Sequence, residues 1–329
     1  MKWSGAWTGF LASRDMPAYL VFNELSLNPL SANQELGRER LNGLAEVILD
    51  GRIGRERILV SPEHFLQREI CAGYTIGRWL AGYSPNQSET RVRMKLLVDR
   101  RMLCDQCVAA HKWDDEDVEY RFAGEKVAGL ATALLADGLA VSLLSADDWN
   151  TSTVQVEKTW IEDAEVFNRH LDVLHAGNIA HLDQHFDWLK RVQAPSPTNG
   201  EELWEQRQAM FPNLDFCSSI EEQLRRLGGD GAGFRSAIRG LHDLQNYCAG
   251  WKNGAFDIHA FNNASGESGA TLEMYGEERT FLCPDGEYRL FSWHLKRGDS
   301  RLHFFDFPPA RRILVGYIGP HLRTVRFAS

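Results

Sequence analysis

The chain contains no apolar run approaching the roughly 18 residues that a membrane-spanning helix needs, so no transmembrane helix is expected. Cysteine is sparse: Cys71, Cys104, Cys107, Cys217, Cys248 and Cys283 are scattered through 329 residues. A chain of this size needs no disulfide staples, and the scatter fits reduced thiols, so a cytoplasmic protein is expected. Neither common glycine-rich phosphate loop is present, and Gly266-Glu-Ser268-Gly-Ala270 lacks the last glycine of a nucleophile elbow. There is no internal repeat, heptad run or low-complexity tract. The first fifteen residues are apolar in places but broken by Ser, Gly and Thr. They lack the clean hydrophobic stretch and cleavage site of a leader, and read as mature protein.

Metal-binding patterns are thin too. Cys104 and Cys107 form one CxxC with His111 nearby, but a structural zinc site normally needs a second half-site, so two ordinary thiols on a helix are expected. His181 and His185 share a helical spacing, with His170 and His175 upstream. Leu182 stands where the zinc-protease signature requires Glu, so polar helix positions are expected. Residues 112–119 form a carboxylate cluster, and Asp147-Asp148 follows an apolar strand-like run. That strand-then-Asp-Asp pattern faintly resembles the last acidic motif of PIN-type nucleases, although Asn23 and Glu24 stand where the first strand would carry Asp. A solvated acidic loop is the plainer reading. The alternative is a Mg²⁺-dependent, PIN-like nuclease run by Glu24, Asp147 and Asp148.

The composition that remains is that of an ordinary folded protein, and the length favours two domains. Residues 193–201, QAPSPTNGE, read as a flexible linker. Before it, strands are expected at 19–25, 57–60, 139–145 and 153–161, and helices at 34–49, 65–80, 124–135 and 165–192. The order implies an acidic α/β layered domain over 1–195, with a regulatory or partner-binding role. After the linker, a strand at 213–217, a helix from Ser218 or Ser219 to Leu227 and a helix at 232–251 are expected. A Gly-, Asn- and Ser-rich stretch follows at 252–270, then strands at 288–296, 301–307 and 312–318. Residues 200–329 thus read as a basic α+β domain with a small twisted antiparallel sheet.

The net charge of −9 is uneven. From Tyr288 onward, Arg289, Lys296, Arg297, Arg301, Arg311, Arg312, Arg323 and Arg326 are opposed only by Asp299 and Asp306, so this stretch carries +6 and the first 287 residues −15. Such asymmetry points to a polyanion-binding end. Gly298-Asp299 has the order of a two-residue type II′ hairpin turn. That turn sets Lys296 opposite Arg301 and His294 opposite His303, on one face of the hairpin. Trp293, Leu295, Leu302 and Phe304 take the other face, toward the core. Like charges placed opposite one another are destabilising, which makes sense if an anion such as phosphate sits among them. The next strand adds Tyr317 and ends at His321, with Arg323 beyond. The cluster gathers bases, acids and cations without a carboxylate, which argues for phosphate chemistry and against a metal, so no cofactor is expected.

From Asn213 onward the sequence resembles the RelE superfamily of bacterial ribonuclease toxins. The resemblance rests on NLDFCSSIEEQLRRL at the start and on RLFSWHLKRGDSRLHFFDF and RRILVGYIGPHLR at the end. It covers about the last third of the chain and implies a strand, two helices and then a twisted antiparallel sheet. It also implies mRNA cleavage by attack of the ribose 2′-hydroxyl on the adjacent phosphate. Arg301 matches the phosphate-binding Arg of that family, and His321 the acid or base of its last strand. Lys296 and His294 lie on the strand where other members keep basic catalytic groups. Residues 252–287 are an insertion relative to the compact toxins, and the N-terminal domain is foreign to them. The expected protein is a metal-independent endoribonuclease of toxin or antiviral-defence type. His294 and His321 would transfer protons, Lys296 and Arg301 would stabilise charge, and His303 and Tyr317 would support them. Arg289, Arg297, Arg311, Arg312 and Arg323 would bind RNA. The alternative to an enzyme is an RNA-binding or scaffold subunit.

Overall fold

A computed structural model describes residues 17–54, 56–82, 88–110, 118–162, 165–194, 196–228, 232–261, 263–297 and 300–325. The first part runs β1 (Ala18–Phe22), α1 (Gln34–Leu49), β2 (Arg57–Ser61), β3 (Glu69–Cys71), β4 (Tyr74–Thr75), α2 (Ile76–Ala81), α3 (Ser88–Asp99) and β5 (Met102–Leu103). It continues through α4 (Cys104–Ala110), β6 (Val118–Phe122), β7 (Glu125–Lys126), α5 (Gly129–Ala136), β8 (Leu139–Val141), β9 (Thr153–Glu162), β10 (Glu165–Ala176) and α6 (Phe186–Gln193). One eight-stranded mixed sheet results, ordered β5-β2-β1-β8-β10-β9-β6-β7. Its first five members are parallel, and β9, β6 and β7 add on antiparallel. The strand β1, AYLVF, is buried at all five positions. Such an unbroken apolar run is what a parallel strand covered on both faces requires. Ala18, Leu20 and Phe22 join a core with α1, while Tyr19 and Val21 join one with α5.

Two helical expectations fail for identifiable reasons. Residues 165–176 form β10, not helix, paired with β9 from Glu165 opposite Glu162 to Leu174 opposite Thr153. Leu171 and Val173 are buried with Asp172 exposed between them, the two-residue alternation that pairing with β9 imposes on them. Between 65 and 80 the chain makes a 3₁₀ turn and the β3–β4 hairpin before α2, because Gly73 takes a left-handed φ of 70° between the strands.

The second part runs α7 (Gly200–Met210), β11 (Leu214–Phe216), α8 (Ser219–Arg226), α9 (Ala232–Gly250), β12 (Ala264–Gly266), α10 (Gly269–Tyr275), β13 (Thr280–Leu282) and β14 (Tyr288–Leu290). The last strands are β15 (Trp293–Arg297), β16 (Ser300–Phe307) and β17 (Arg312–Pro320). A five-stranded sheet is ordered β11-β17-β16-β15-β12, antiparallel except for the β11–β17 pair. The helix α9 covers one face, with Gly240 over Leu295 and Leu302. The β13–β14 hairpin covers the other, where Phe281 and Phe291 press so closely on Gly316 that a Cβ there would meet both rings at 2.6 Å. The strand expected over 288–296 is therefore two: β14 pairs with β13, buried Phe291 breaks the run, and β15 pairs with β16.

From Ser196 on, the connection between the parts is built into structure. Pro197 and Gly200 are buried, the Asn199 side chain accepts from the Glu202 amide at 2.9 Å, and the Glu202 carboxylate accepts from the Thr198 amide at 2.8 Å. Residues read as a flexible linker thus build the N-cap of α7. Among the described residues no helix is long and apolar enough to cross a membrane. Counted from Gly200 on, fifteen basic residues face seventeen acidic ones, giving −2 and leaving −7 for the rest, so the basic character is confined to the closing strands.

Candidate active site

The strands β15 and β16 pair with Trp293 opposite Phe304, His294 opposite His303, Leu295 opposite Leu302 and Lys296 opposite Arg301. This is the register expected from the 298–299 turn, which itself lies outside the described residues. Leu295, Leu302 and Phe304 are buried in the core beneath α9. The alternation puts His294, Lys296, Arg301 and His303 together on the opposite face. The His294 and His303 rings lie 5.2 Å apart between centroids. From β17, Tyr317 stands opposite His303, and its ring meets the imidazole edge-on at 5.7 Å. The Tyr317 hydroxyl passes over Gly319 and donates to the Pro320 carbonyl at 2.9 Å. One row therefore reads His294–His303–Tyr317, and the next Lys296–Arg301, with exposed His321 just past the strand end.

The other edge supplies residues that sequence reasoning missed. Ser265 of β12 lies opposite His294, with its Oγ 3.3 Å from Nε2. Glu267, just past β12, brings Oε1 to 3.4 Å from His294 Nδ1 and 2.9 Å from Arg279 Nε. Arg279 is fully buried and also donates to the Arg323 carbonyl at 2.8 Å. The expectation of a cluster without a carboxylate is thus corrected. The three missed residues sit in the stretch read as an insertion, which has no strong periodicity to place them.

That same stretch crosses the site. Phe281 stacks on Tyr317 with 6.0 Å between centroids and 10° between planes. As a result His294 is 6% and His303 1% exposed, and the surface expected to be open is covered. Lys296 and His321 reach solvent, Arg301 and Tyr317 in part. Burial holds His294 well below the ordinary histidine range, helped by His303, Lys296 and Arg301. Burial, then the Arg279 guanidinium, pushes His303 down to about 3. His321 is lowered by burial and by Arg301. Both inner imidazoles are therefore neutral near pH 7, and as long as the site stays covered they are weak bases.

Four of the five expected RNA-binding arginines are engaged with carboxylates. Arg289 pairs with Asp285, Arg297 with Asp243, Arg312 with Asp215 and Arg323 with Glu278. Arg311 is exposed at a left-handed φ of 52°, next to the β16–β17 turn. A charge count begun at Tyr288 leaves these partners out, because Asp285 and Glu278 lie just before that stretch and Asp243 and Asp215 precede it by tens of residues.

The other motifs resolve into structure. The Glu24 carboxylate accepts from the amides of Ala128 and Gly129 at 2.7 and 2.8 Å, which occupies it as a cap on α5. Asp147 and Asp148 are exposed in a 3₁₀ turn. At the ends of β1 and β8, Asn23 donates to Ser142 Oγ at 3.0 Å, and His175 bridges Ser142 Oγ and the Thr151 carbonyl, each at 2.7 Å. His185 reaches the His175 carbonyl at 2.9 Å, and His181 lies in a 3₁₀ turn, not a helix. Burial pushes the Cys104 and Cys107 thiols up to about 12 and about 11, and His111 lies outside the described residues. No family model, no curated protein and no solved structure matches this chain.

Proposed function

We propose that the second part is a RelE-type RNA-cleaving module whose active face is held covered by its own inserted segment. The observation that carries the reading is the row His294–His303–Tyr317 set beside Lys296 and Arg301 on one sheet face. The order of β11, α8 and α9 followed by antiparallel strands supports it, being the order the resemblance implies. In the proposed reaction the ribose 2′-oxygen attacks phosphorus as its proton passes to a neutral imidazole, His294, with His303 and Tyr317 fixing the surroundings. The P–O5′ bond breaks, an acid returns a proton to the 5′-oxygen, and a 2′,3′-cyclic phosphate is left. His321, the more exposed imidazole, is the acid. Arg301 and Lys296 stabilise the charge that develops on the phosphoryl oxygens. Phosphate binding would raise the histidine pKa values, making the protonated acid accessible. Substrate entry requires the segment 267–292 to part from Tyr317 and His303.

The test is incubation of the full chain with labelled RNA, with and without EDTA. Cleavage that survives the chelator and leaves cyclic or 3′-phosphate ends supports this reading. Ends bearing 5′-phosphate, or loss of cleavage with EDTA, would favour the Mg²⁺-dependent alternative, whose Glu24 is already engaged as a cap. The burial of both histidines favours a second reading, an RNA-binding or scaffold subunit. Its mark is salt-sensitive binding without products. A protein partner for the first part would find exposed apolar groups at the β9–β10 tip, where Ile161 and Val166 are exposed beside Phe167.

A further inference from the structure

We propose that Glu267, His294 and His303 form a binding site for a late first-row divalent cation, with Zn²⁺ as the defining case. One donor atom from each residue, a carboxylate oxygen and two imidazole nitrogens, lies within 4.8 Å of the others. His294 Nδ1 and His303 Nδ1 are buried and have no hydrogen-bond partner among the described residues. Buried polar atoms without a hydrogen bond are costly and rare in folded proteins, and here the Glu267 carboxylate stands 3.4 Å from His294 Nδ1 with His303 in the same cluster, which makes a preformed ligand set.

The surroundings carry the features that tune metal ligands. The second ring nitrogen of His294 faces Ser265 Oγ at 3.3 Å, a hydroxyl that can accept from Nε2–H and so leave the Nδ1 lone pair for a metal. The guanidinium of Arg279 holds Glu267 Oε1 at 2.9 Å, and a carboxylate keeps enough lone pairs to serve a metal at the same time. The three ligands come from two adjacent strands and the end of a third, so little has to move. Three protein ligands leave a fourth position for water or an anion, as in open zinc sites.

The donor set and the neighbouring charges select the metal. Two imidazoles and one carboxylate suit Zn²⁺ and its late first-row neighbours, while Mg²⁺ and Ca²⁺ prefer oxygen. Arg301 and Lys296 lie on the same face and oppose a purely electrostatic cation. They favour one bound through strong nitrogen bonds and carrying an anionic fourth ligand. Occupation is read with the metal alone and does not depend on the RNA reading.

The experiment titrates chelator-stripped, full-length protein with ZnCl₂ by calorimetry, and with CoCl₂ by visible absorption. We expect one Zn²⁺ per chain, reversal by EDTA, a Co²⁺ ligand-field spectrum without thiolate bands, and no uptake of Mg²⁺. Glu267→Gln and His303→Gln should each weaken Zn²⁺ binding by on the order of 100-fold, while Cys104→Ser leaves it unchanged. Because buried substitutions can unfold a domain, ¹⁵N-histidine spectra of the unaltered protein give a variant-free readout: Zn²⁺ should shift two Nδ1 resonances. Absence of stoichiometric uptake, coordination through Nε2 or thiolate, or unchanged affinity in both folded variants overturns the site.

Discussion

His294 and His303 stand where a proton is most expensive to hold: buried, side by side, and next to guanidinium groups. An imidazole held below its unfolded value takes up a proton more readily in the unfolded chain. Its stabilising contribution is therefore complete above about pH 6.5 and declines as the pH falls toward the folded value. For His303 that decline runs down to about 3, and for His175 and His242, both lowered mainly by burial, to about 4. Each group steepens the loss by at most about 1.4 kcal/mol per pH unit. Denaturant midpoints should accordingly hold near pH 7 and fall steadily from about pH 6.5 to pH 4.5, and a flat profile would show that these imidazoles are not held neutral. On the RNA reading, Arg301→Ala should lower cleavage by on the order of 100-fold, measured as initial rates on labelled RNA. Rates within a few-fold of the unaltered protein would remove Arg301 from the phosphate site. If the metal site and the RNA reading both hold, equimolar Zn²⁺ should suppress cleavage and EDTA restore it, because the cation takes the lone pair the base requires. The pairing of His294 with His303 was legible in the sequence because a two-residue turn and a two-residue period leave one register. Glu267 and Arg279 were not, because their positions depend on a path through residues 267–292 that no local pattern dictates.

Among the elements, the β13–β14 hairpin matters most for access. Its Phe281 and neighbouring Phe291 fill the space over Gly316, where a Cβ would stand 2.6 Å from ring atoms. The substitution Gly316→Ala should push this cover outward and destabilise the domain by about 1–3 kcal/mol, the usual cost of overpacking. Hydrogen exchange over residues 280–291 should then quicken more than over α9. Equal protection in both would mean that the sheet itself yields. The strand β10 shows how far element type could be read. Its apolar residues satisfy helical spacing over short windows, and only the partner β9, offering ten consecutive pairs, decides for strand. The helices α1 and α9 were legible because each keeps one apolar face over sixteen and nineteen residues, a length at which competing periods separate.

At the scale of the whole molecule, the contrast of −15 and +6 along the sequence does not divide the two parts, which carry −7 and −2. Restraint of the second part by the first therefore has to rest on contact. The Arg239 guanidinium of α9, nearly buried, lies 4.9 Å from the ring centroid of Tyr19 in the central strand of the first sheet. Tyr19→Ala in the full chain should loosen that contact and, if restraint is real, raise RNA binding several-fold at low salt in a titration with labelled RNA. Unchanged binding, with a folded variant, would leave the first part as a recruiting surface. The junction sets how any such release can work. Thr198, Asn199 and Glu202 are tied into one cap, and Pro197 just before them is buried. A tether stores slack, and two bodies on a tether can part without anything else changing. A capped helix stores none, so the chain from Pro197 into α7 has no slack to give, and any parting of the two parts has to draw on the residues before it or unwind the start of α7.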